Sequence, residues 1–181
     1  AEFGKIFGRE SGGLVRPYRC EDAETIVVAL GSVLGTLKDT IDEMRDAGHK
    51  IGVLGIISFR PFPLQAIREV LQGAKRVVVL EKSLAVGIGG IVSTDVRMAL
   101  SGLHLHGYTV IAGLGGRAIT RVSLHKMLQQ AMRDELEHVT FLDLDHNLVN
   151  RHLEREKLKR RSGPMAEGIL RDVGTIASRI A

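Results

Sequence analysis

Along the chain, short unbroken apolar runs alternate with segments whose apolar residues recur at helical spacing, and turns rich in Gly, Ser or Pro separate the two. The runs lie at 25–30, 50–57, 76–80, 108–112 and 139–144. An apolar run that does not alternate with polar residues suits a parallel strand covered on both faces. Between the first two runs, residues 34–47 set Leu37, Ile41 and Met44 on one face and Asp39, Asp42, Glu43, Arg45 and Asp46 on the others, with Gly48 placed for a left-handed cap. The stretch 58–63 carries Pro61 and Pro63, which makes it a rigid connector and starts a helix near Pro63 that presents Leu64, Ile67 and Leu71. Further helices are expected at 91–100 and 123–135, the second capped by Ser123 or Thr120. Strands alternating with helices through short loops predict an α/β fold: an open, mostly parallel five-stranded sheet in a three-layer αβα sandwich, with right-handed crossovers.

The two ends of the chain depart from this rhythm. Residues 1–23 are rich in Gly and charge and read as an extended lead-in, anchored by Phe3, Phe7 and Tyr18 and flexible at Gly12-Gly13. Residues 147–181 read as two helices broken at Ser162-Gly163-Pro164, with Met165, Ile169, Val173, Ile176 and Ile180 in one apolar stripe that needs a cover. The expected layout is therefore a lead-in at 1–23, an α/β domain at 24–145 and a helical tail at 146–181.

Composition narrows the classes of function. Apolar residues make up 44% and charged residues 25%, an ordinary globular balance. No apolar run approaches the roughly 18 residues that span a bilayer, and no signal segment opens the chain, so no membrane partner and a cytoplasmic location are expected. The chain begins Ala1-Glu2-Phe3 without Met and reads as a piece of something longer. Its net charge of +4 resides in residues 151–161, where six basic residues meet two acidic ones. Leu148, Leu153 and Leu158 interleave with those charges as on an amphipathic helix, and aromatic residues reach only 4% without Trp, so no nucleic-acid partner is expected. The single Cys20 excludes an internal disulfide and any cysteine-ligated iron–sulfur cluster built from this chain alone.

Several turns could carry chemistry. Gly31, Ser32, Gly35 and Thr36 lie where a strand gives way to a helix, and either cradle an anion or cap the helix with the two hydroxyls. The loop 81–90, with Lys82, Gly87, Gly89 and Gly90, follows the third strand and reads as an anion contact or a close subunit contact. Gly113-x-Gly115-x-x-Ala118, with Asp143 after the next strand, fits a dinucleotide fingerprint loosely. That acid lies about thirty residues on rather than about twenty, and the helix opens at 120–123, beyond the glycines. A small stand-alone dinucleotide-binding enzyme using Gly113, Gly115 and Asp143 is the alternative reading. His104 and His106 share one side of an extended segment, but no further ligand at metal spacing joins them, so no metal site is expected. No nucleophile stands with a base, and no catalytic residue is assigned.

The blocks Glu21-Asp22-Ala23, Ala29-Leu30-Gly31-Ser32-Val33-Leu34-Gly35-Thr36, Gly48-x-x-Ile51-Gly52-Val53-Leu54, Phe59-Arg60-Pro61-Phe62-Pro63 and Gly113-Leu114-Gly115-Gly116-Arg117 occur in an order and spacing that resembles the second domain of the α subunit of pyruvate (2-oxoacid):ferredoxin oxidoreductases. Phe7-Gly8-Arg9 and Gly12-Gly13-Leu14-Val15 resemble the connector from the preceding pyrimidine-binding domain. The resemblance implies a fold similar to the C-terminal domain of transketolase. It further implies an enzyme that decarboxylates a 2-oxoacid on thiamine diphosphate with Mg2+, passes electrons through iron–sulfur clusters to ferredoxin, and forms an acyl-coenzyme A. The cofactor-binding and catalytic residues of such enzymes lie in the pyrimidine domain and the β subunit, so this chain is expected to bind no cofactor, to be inactive alone, and to work as a structural and assembly domain in an oligomer. Its expected partners are that pyrimidine domain, the β and other subunits, and ferredoxin through the whole complex. In this light Gly31, Ser32, Thr36, Arg60, Lys82, Gly89 and Gly115 become anion or interdomain contacts, and 91–100 together with the terminal stripe are expected to carry subunit contacts.

Overall fold

The computed structural model describes residues 2–9 and 12–159. Residues up to Asp143 form one compact unit and those from Leu144 onward a second. The helix break at 162–164 and the stripe from Met165 to Ile180 lie outside the described residues.

In the first unit a short helix α1 (Glu2–Phe7) precedes β1 (Val15–Tyr18), and β2 (Thr25–Ala29), α2 (Val33–Asp46), β3 (Ile51–Ile56), α3 (Leu64–Leu71), β4 (Arg76–Glu81), α4 (Ile91–Ala99), β5 (His106–Ile111), α5 (Arg121–Met132) and β6 (Val139–Phe141) follow. The strand order is β1-β3-β2-β4-β5-β6. The pairs β2–β3, β2–β4, β4–β5 and β5–β6 are parallel, with Val27 opposite Val53 on one side and Val78 on the other. All five residues of β2 and all six of β3 are buried, as their unbroken apolar runs require.

The sheet has six strands rather than five, because the lead-in contributes one. Val15 to Tyr18 pair antiparallel with β3, Val15 opposite Ile56 and Pro17 opposite Leu54. A proline is tolerated there because β1 is an edge strand. Tyr18 anchors the lead-in as expected, its hydroxyl donating to Asp42 Oδ2 on α2 at 2.7 Å. Phe3 and Phe7 do not act as anchors: they are exposed and stack on each other with centroids 4.7 Å apart, and the residues around them form α1 rather than an extended stretch.

Two apolar layers flank the sheet. Val27, Ala29, Val53, Val78, Leu80 and Val110 meet α2 and α5 on one face. Ile26, Val28, Leu54, Ile56, Val77 and Val79 meet α3 and α4 on the other. This distribution fixes the hand of the crossovers relative to one another. The β2–α2–β3 step runs toward one edge with its helix on the first face, and β3–α3–β4 and β4–α4–β5 run the opposite way with helices on the second face, so all three share one hand. The β5–α5–β6 step also runs the opposite way, but α5 lies on the first face, so its hand is reversed. The uniform right-handed winding expected from the sequence thus fails at the last step. Leu124, Met127, Leu128 and Ala131 of α5 are fully buried beside α2, while the return strand β6 is three half-buried residues at the edge. The buried helix, not the short strand, sets the path.

Helix ends follow their residues. Past α2, His49 N–H donates to Met44 O at 3.0 Å and Gly48 N–H to Arg45 O at 2.8 Å, with Gly48 at φ +87°, which is the left-handed cap expected there. Thr120 caps α5, its Oγ1 accepting from Ser123 N–H at 3.1 Å. In the second unit, Asp145 Oδ1 accepts from Leu148 N–H at 3.0 Å at the start of α6 (His146–Lys159).

Candidate functional site

The five parallel strands bring their carboxyl ends to one edge, where open α/β sheets hold ligands and partners. Strand order reverses between β2 and β4, and a cleft of ≈ 350 Å³ lies at that point. Leu30, Gly31, Ser32 and Val33 after β2, Leu80 to Ser83 at the end of β4, and Val92 and Ile119 line it. Of the residues the sequence singled out, Gly31, Ser32 and Lys82 meet here. Thr36 lies a turn along α2, its carbonyl accepting from Thr40 Oγ1 at 2.8 Å. Neither hydroxyl caps α2. Ser32 has helical torsions and no side-chain cap bond, because Gly31 at φ +83° already turns the chain and its carbonyl accepts from Leu34 N–H at 3.2 Å.

Glu81, which the sequence reading placed only as the start of a loop, organises the edge. It is buried, and its carboxylate accepts from Val92 N–H at 2.9 Å and Ser93 N–H at 3.0 Å. It therefore caps α4 from ten residues upstream of the helix, where Gly90 offers no side chain to do so. A Cβ on Gly90 would collide with Glu81 Oε1 and Ser93 Oγ, so glycine is required for this capping carboxylate to fit. The signal was present: a glycine at the cap position leaves the first N–H groups needing an acceptor from elsewhere.

Lys82 is seated rather than loose. A Cβ on Gly113 would stand 2.9 Å from Lys82 Cε and 3.3 Å from Ile119 Cδ1, so the lysine stem lies across the glycine at the exit of β5. The space in which a pyrophosphate would approach Gly113 is taken by that stem. Gly113, Leu114, Gly115 and Gly116 form a 3-10 turn with Gly113 at φ +70° and Gly115 at φ +64°, and α5 starts only at Arg121. Asp143 is at φ +58° past β6, and its carbonyl, not its carboxylate, accepts from Arg117 Nη1. The turn is built as a joint between β5 and β6, and the dinucleotide geometry is not formed.

Arg60 and Gly89 lie outside the cleft. Arg60 Nη2 donates to Asp95 Oδ2 of α4 at 2.8 Å, and its guanidinium sits 4.0 Å from the centroid of the Phe59 ring, so it joins the β3–α3 connector to α4. Gly89 exchanges backbone bonds with Ala85 at 2.7 and 2.8 Å and closes a tight turn. That turn carries Leu84, Val86 and Ile88, all exposed, Val86 at 97%. Leu30, Ile57 and Leu114, each at the end of a different strand, are exposed beside them along the same edge.

The amino-terminal edge has the opposite character. Asp134 accepts from Arg76 at 2.7 and 2.5 Å and from the Tyr108 hydroxyl at 2.9 Å, and stands 3.2 Å from His106 Nδ1. The Arg76 guanidinium, before the Tyr108 hydroxyl, holds the Asp134 carboxyl well below the usual carboxylate range. Lys75 pairs with Glu24 at 2.9 Å. His106 Nδ1 thus faces the Asp134 carboxylate, and among the described residues no three His, Cys, Asp or Glu side chains gather as a metal site. The charged edge is satisfied internally; the apolar edge is not.

The family model described as "Pyruvate:ferredoxin oxidoreductase core domain II" matches residues 23–124. The pyruvate synthase subunit PorA of Methanothermobacter thermautotrophicus is 41% identical over 143 residues, which is 79% of this chain and 36% of the relative. The chain thus spans little more than a third of the length of that curated relative. A solved structure of 2-oxoglutarate:ferredoxin oxidoreductase from Magnetococcus marinus, with 2-oxoglutarate, coenzyme A and succinyl-CoA bound, aligns with TM-score 0.55 at 17% identity over 72% of this chain and 21% of the other. A split-gene transketolase, an inactive β4 tetramer, aligns with TM-score 0.50 at 20% identity over 67% of this chain and 42% of the other. At these identities the two structures establish the shared fold.

Proposed function

The chain belongs to the pyruvate:ferredoxin oxidoreductase core domain II family, and from that membership we propose that it is the noncatalytic structural and assembly domain of the α subunit of a thiamine-diphosphate-dependent pyruvate:ferredoxin oxidoreductase. One observation carries the assembly role: the carboxyl edge exposes Leu30, Ile57, Leu84, Val86, Ile88 and Leu114 around turns in which Glu81 and Arg60 are already engaged. Glu81 spends its carboxylate on α4 and Arg60 its guanidinium on Asp95, which leaves a surface suited to packing. In the proposed layout residues 24–145 are this domain, 1–23 lead in from the pyrimidine-binding domain and 146–181 form a helical tail.

The described residues do not fit the cofactors of such an enzyme. Cys20 is the only thiol; it is half-buried, its S–H reaches the carbonyls of Val53 at 3.4 Å and Tyr18 at 3.5 Å, and burial pushes its ionisation up, away from the thiolate that a cluster ligates. No carboxylate or imidazole set among the described residues offers a site for Mg2+. In the proposal, thiamine diphosphate with Mg2+ and the iron–sulfur clusters are held by the pyrimidine domain and the β and other subunits. The whole cytoplasmic complex oxidatively decarboxylates pyruvate to acetyl-coenzyme A and reduces ferredoxin.

Pyruvate-dependent reduction of a viologen dye tests the reading, measured for the chain alone, for the remaining parts of the enzyme alone, and for the two together. Activity is expected only in the mixture. Turnover by the isolated chain, or full turnover without it, contradicts the proposal.

A further inference from the structure

Within the first unit α5 packs beside α2, and on the opposite face of the sheet α4 is the helix that reaches β5. A cavity of ≈ 380 Å³ opens there, apart from the carboxyl-edge cleft. Its walls are Val77, Val79, Val96, Leu100, Leu105 and Val139. Its polar side chains are few, and no carboxylate is among the lining residues.

Arg97 reaches from α4 to β5, where its Nη2 donates to Thr109 Oγ1 at 3.0 Å. That bond fixes the guanidinium at the cavity, and among the described residues Arg97 has no acidic partner, unlike Arg60, Arg76 and Arg121. His138 Nδ1 lies 3.0 Å from Gly107 O, which orients the ring and leaves Nε2 uncommitted. Ser93, 1% exposed, belongs to the same wall, but its Oγ is turned toward Gly90 at the start of α4. A guanidinium without a carboxylate asks for an acceptor. Apolar walls with a few convergent polar groups are the composition of a small-molecule site, and this volume is within its usual range of about 300–1,000 Å³.

We propose that this cavity binds an apolar monocarboxylate, with the hydrocarbon part against the valine and leucine walls and the carboxylate on Arg97. A planar carboxylate matches a guanidinium fork. A phosphate or nucleotide would need several donors where the walls supply apolar carbon. The site is independent of the assembly role and stands whether or not the chain meets a β subunit.

Isothermal titration of the full chain with octanoate, acetate and octanol tests it, together with methyl NMR of the valines. Octanoate should bind one per chain and saturably, and should shift the methyl signals of Val79, Val96 and Val139. Acetate lacks the hydrocarbon and octanol the charge, so each should bind at least tenfold more weakly. Arg97→Met, at an exposed position, should weaken octanoate at least tenfold; Val139→Phe, which fills the cavity, should abolish its binding, and the distant Lys126→Met should change neither affinity nor shifts. Absence of saturable octanoate binding overturns the proposal, as does binding that moves methyls elsewhere in the chain or is indifferent to Arg97→Met and Val139→Phe alike.

Discussion

Two carboxylates, Glu81 buried and Asp134 exposed, show how single side chains set this domain's behaviour. Asp134 collects Arg76, Tyr108 and His106 at the amino edge, and its carboxyl is held well below the usual range by the Arg76 hydrogen bonds first. A depressed carboxylate contributes stability that is fully present above the unfolded value, about 3.9, and is lost as pH falls toward the folded value. Asp134→Ala should therefore lower stability by about 1–2 kcal/mol at neutral pH, a figure kept modest because the side chain is a third exposed. In urea titrations the gap between wild type and variant should narrow as pH drops below about 4; a gap that stays constant would show that the contribution is not ionic. Glu81 acts on α4 instead. Glu81→Ala should cost about 1–2 kcal/mol, in the range for a lost helix cap. Gly90→Ala should cost more, because its methyl meets Glu81 Oε1. In the double variant the two losses should fall short of additive, since removing the carboxylate removes the tighter of the two clashes and leaves only that with Ser93 Oγ; strict additivity in a denaturant double-mutant cycle would refute the coupling.

At the scale of elements, strands and helices were legible wherever burial is two-sided. Unbroken runs such as 25–30 and 50–57 became β2 and β3, and the stripes Leu37-Ile41-Met44 and Leu64-Ile67-Leu71 became core-facing helices, Leu64 half-buried and the others buried. What failed was one-sided or long-range. Strand β1 reads Val15-Arg16-Pro17-Tyr18, a charge and a proline that an edge strand accommodates but an apolar-run criterion discards. The reversed β5–α5–β6 hand depends on which face buries Leu124 and Leu128, a choice between two sheet faces that no local pattern encodes. At the candidate site the turns were legible and their bonding was not: Gly31, Ser32 and Lys82 converge, but the Glu81 cap and the Lys82–Gly113 seating join residues far apart in sequence. Strand β6, three half-buried residues paired on one side only, should also be the least protected part of the sheet. Hydrogen exchange should show Thr140 and Phe141 opening well before Val27 and Val78; equal protection would mean that β6 is held as firmly as the centre.

For the molecule as a whole, the two edges of the sheet divide the labour. The amino edge closes on itself through ion pairs, while the carboxyl edge offers exposed apolar side chains around turns braced by the Glu81 cap. A double variant Val86→Asp, Ile88→Asp should leave the urea midpoint of the isolated chain almost unchanged, within about 0.5 kcal/mol, because both side chains already face solvent. The same pair should weaken association with the rest of the enzyme at least tenfold, which is about 1.4 kcal/mol; unaltered association in a pull-down titration would place the interface elsewhere. The central claim is that this chain is a part whose function is assembly. Light-scattering mass of the chain, measured after size exclusion with and without the remaining α-subunit domains and the β subunit, addresses it most directly. The account predicts a single heavier species containing the chain in stoichiometric amount, whereas a chain that keeps its own mass in the presence of those partners would contradict it.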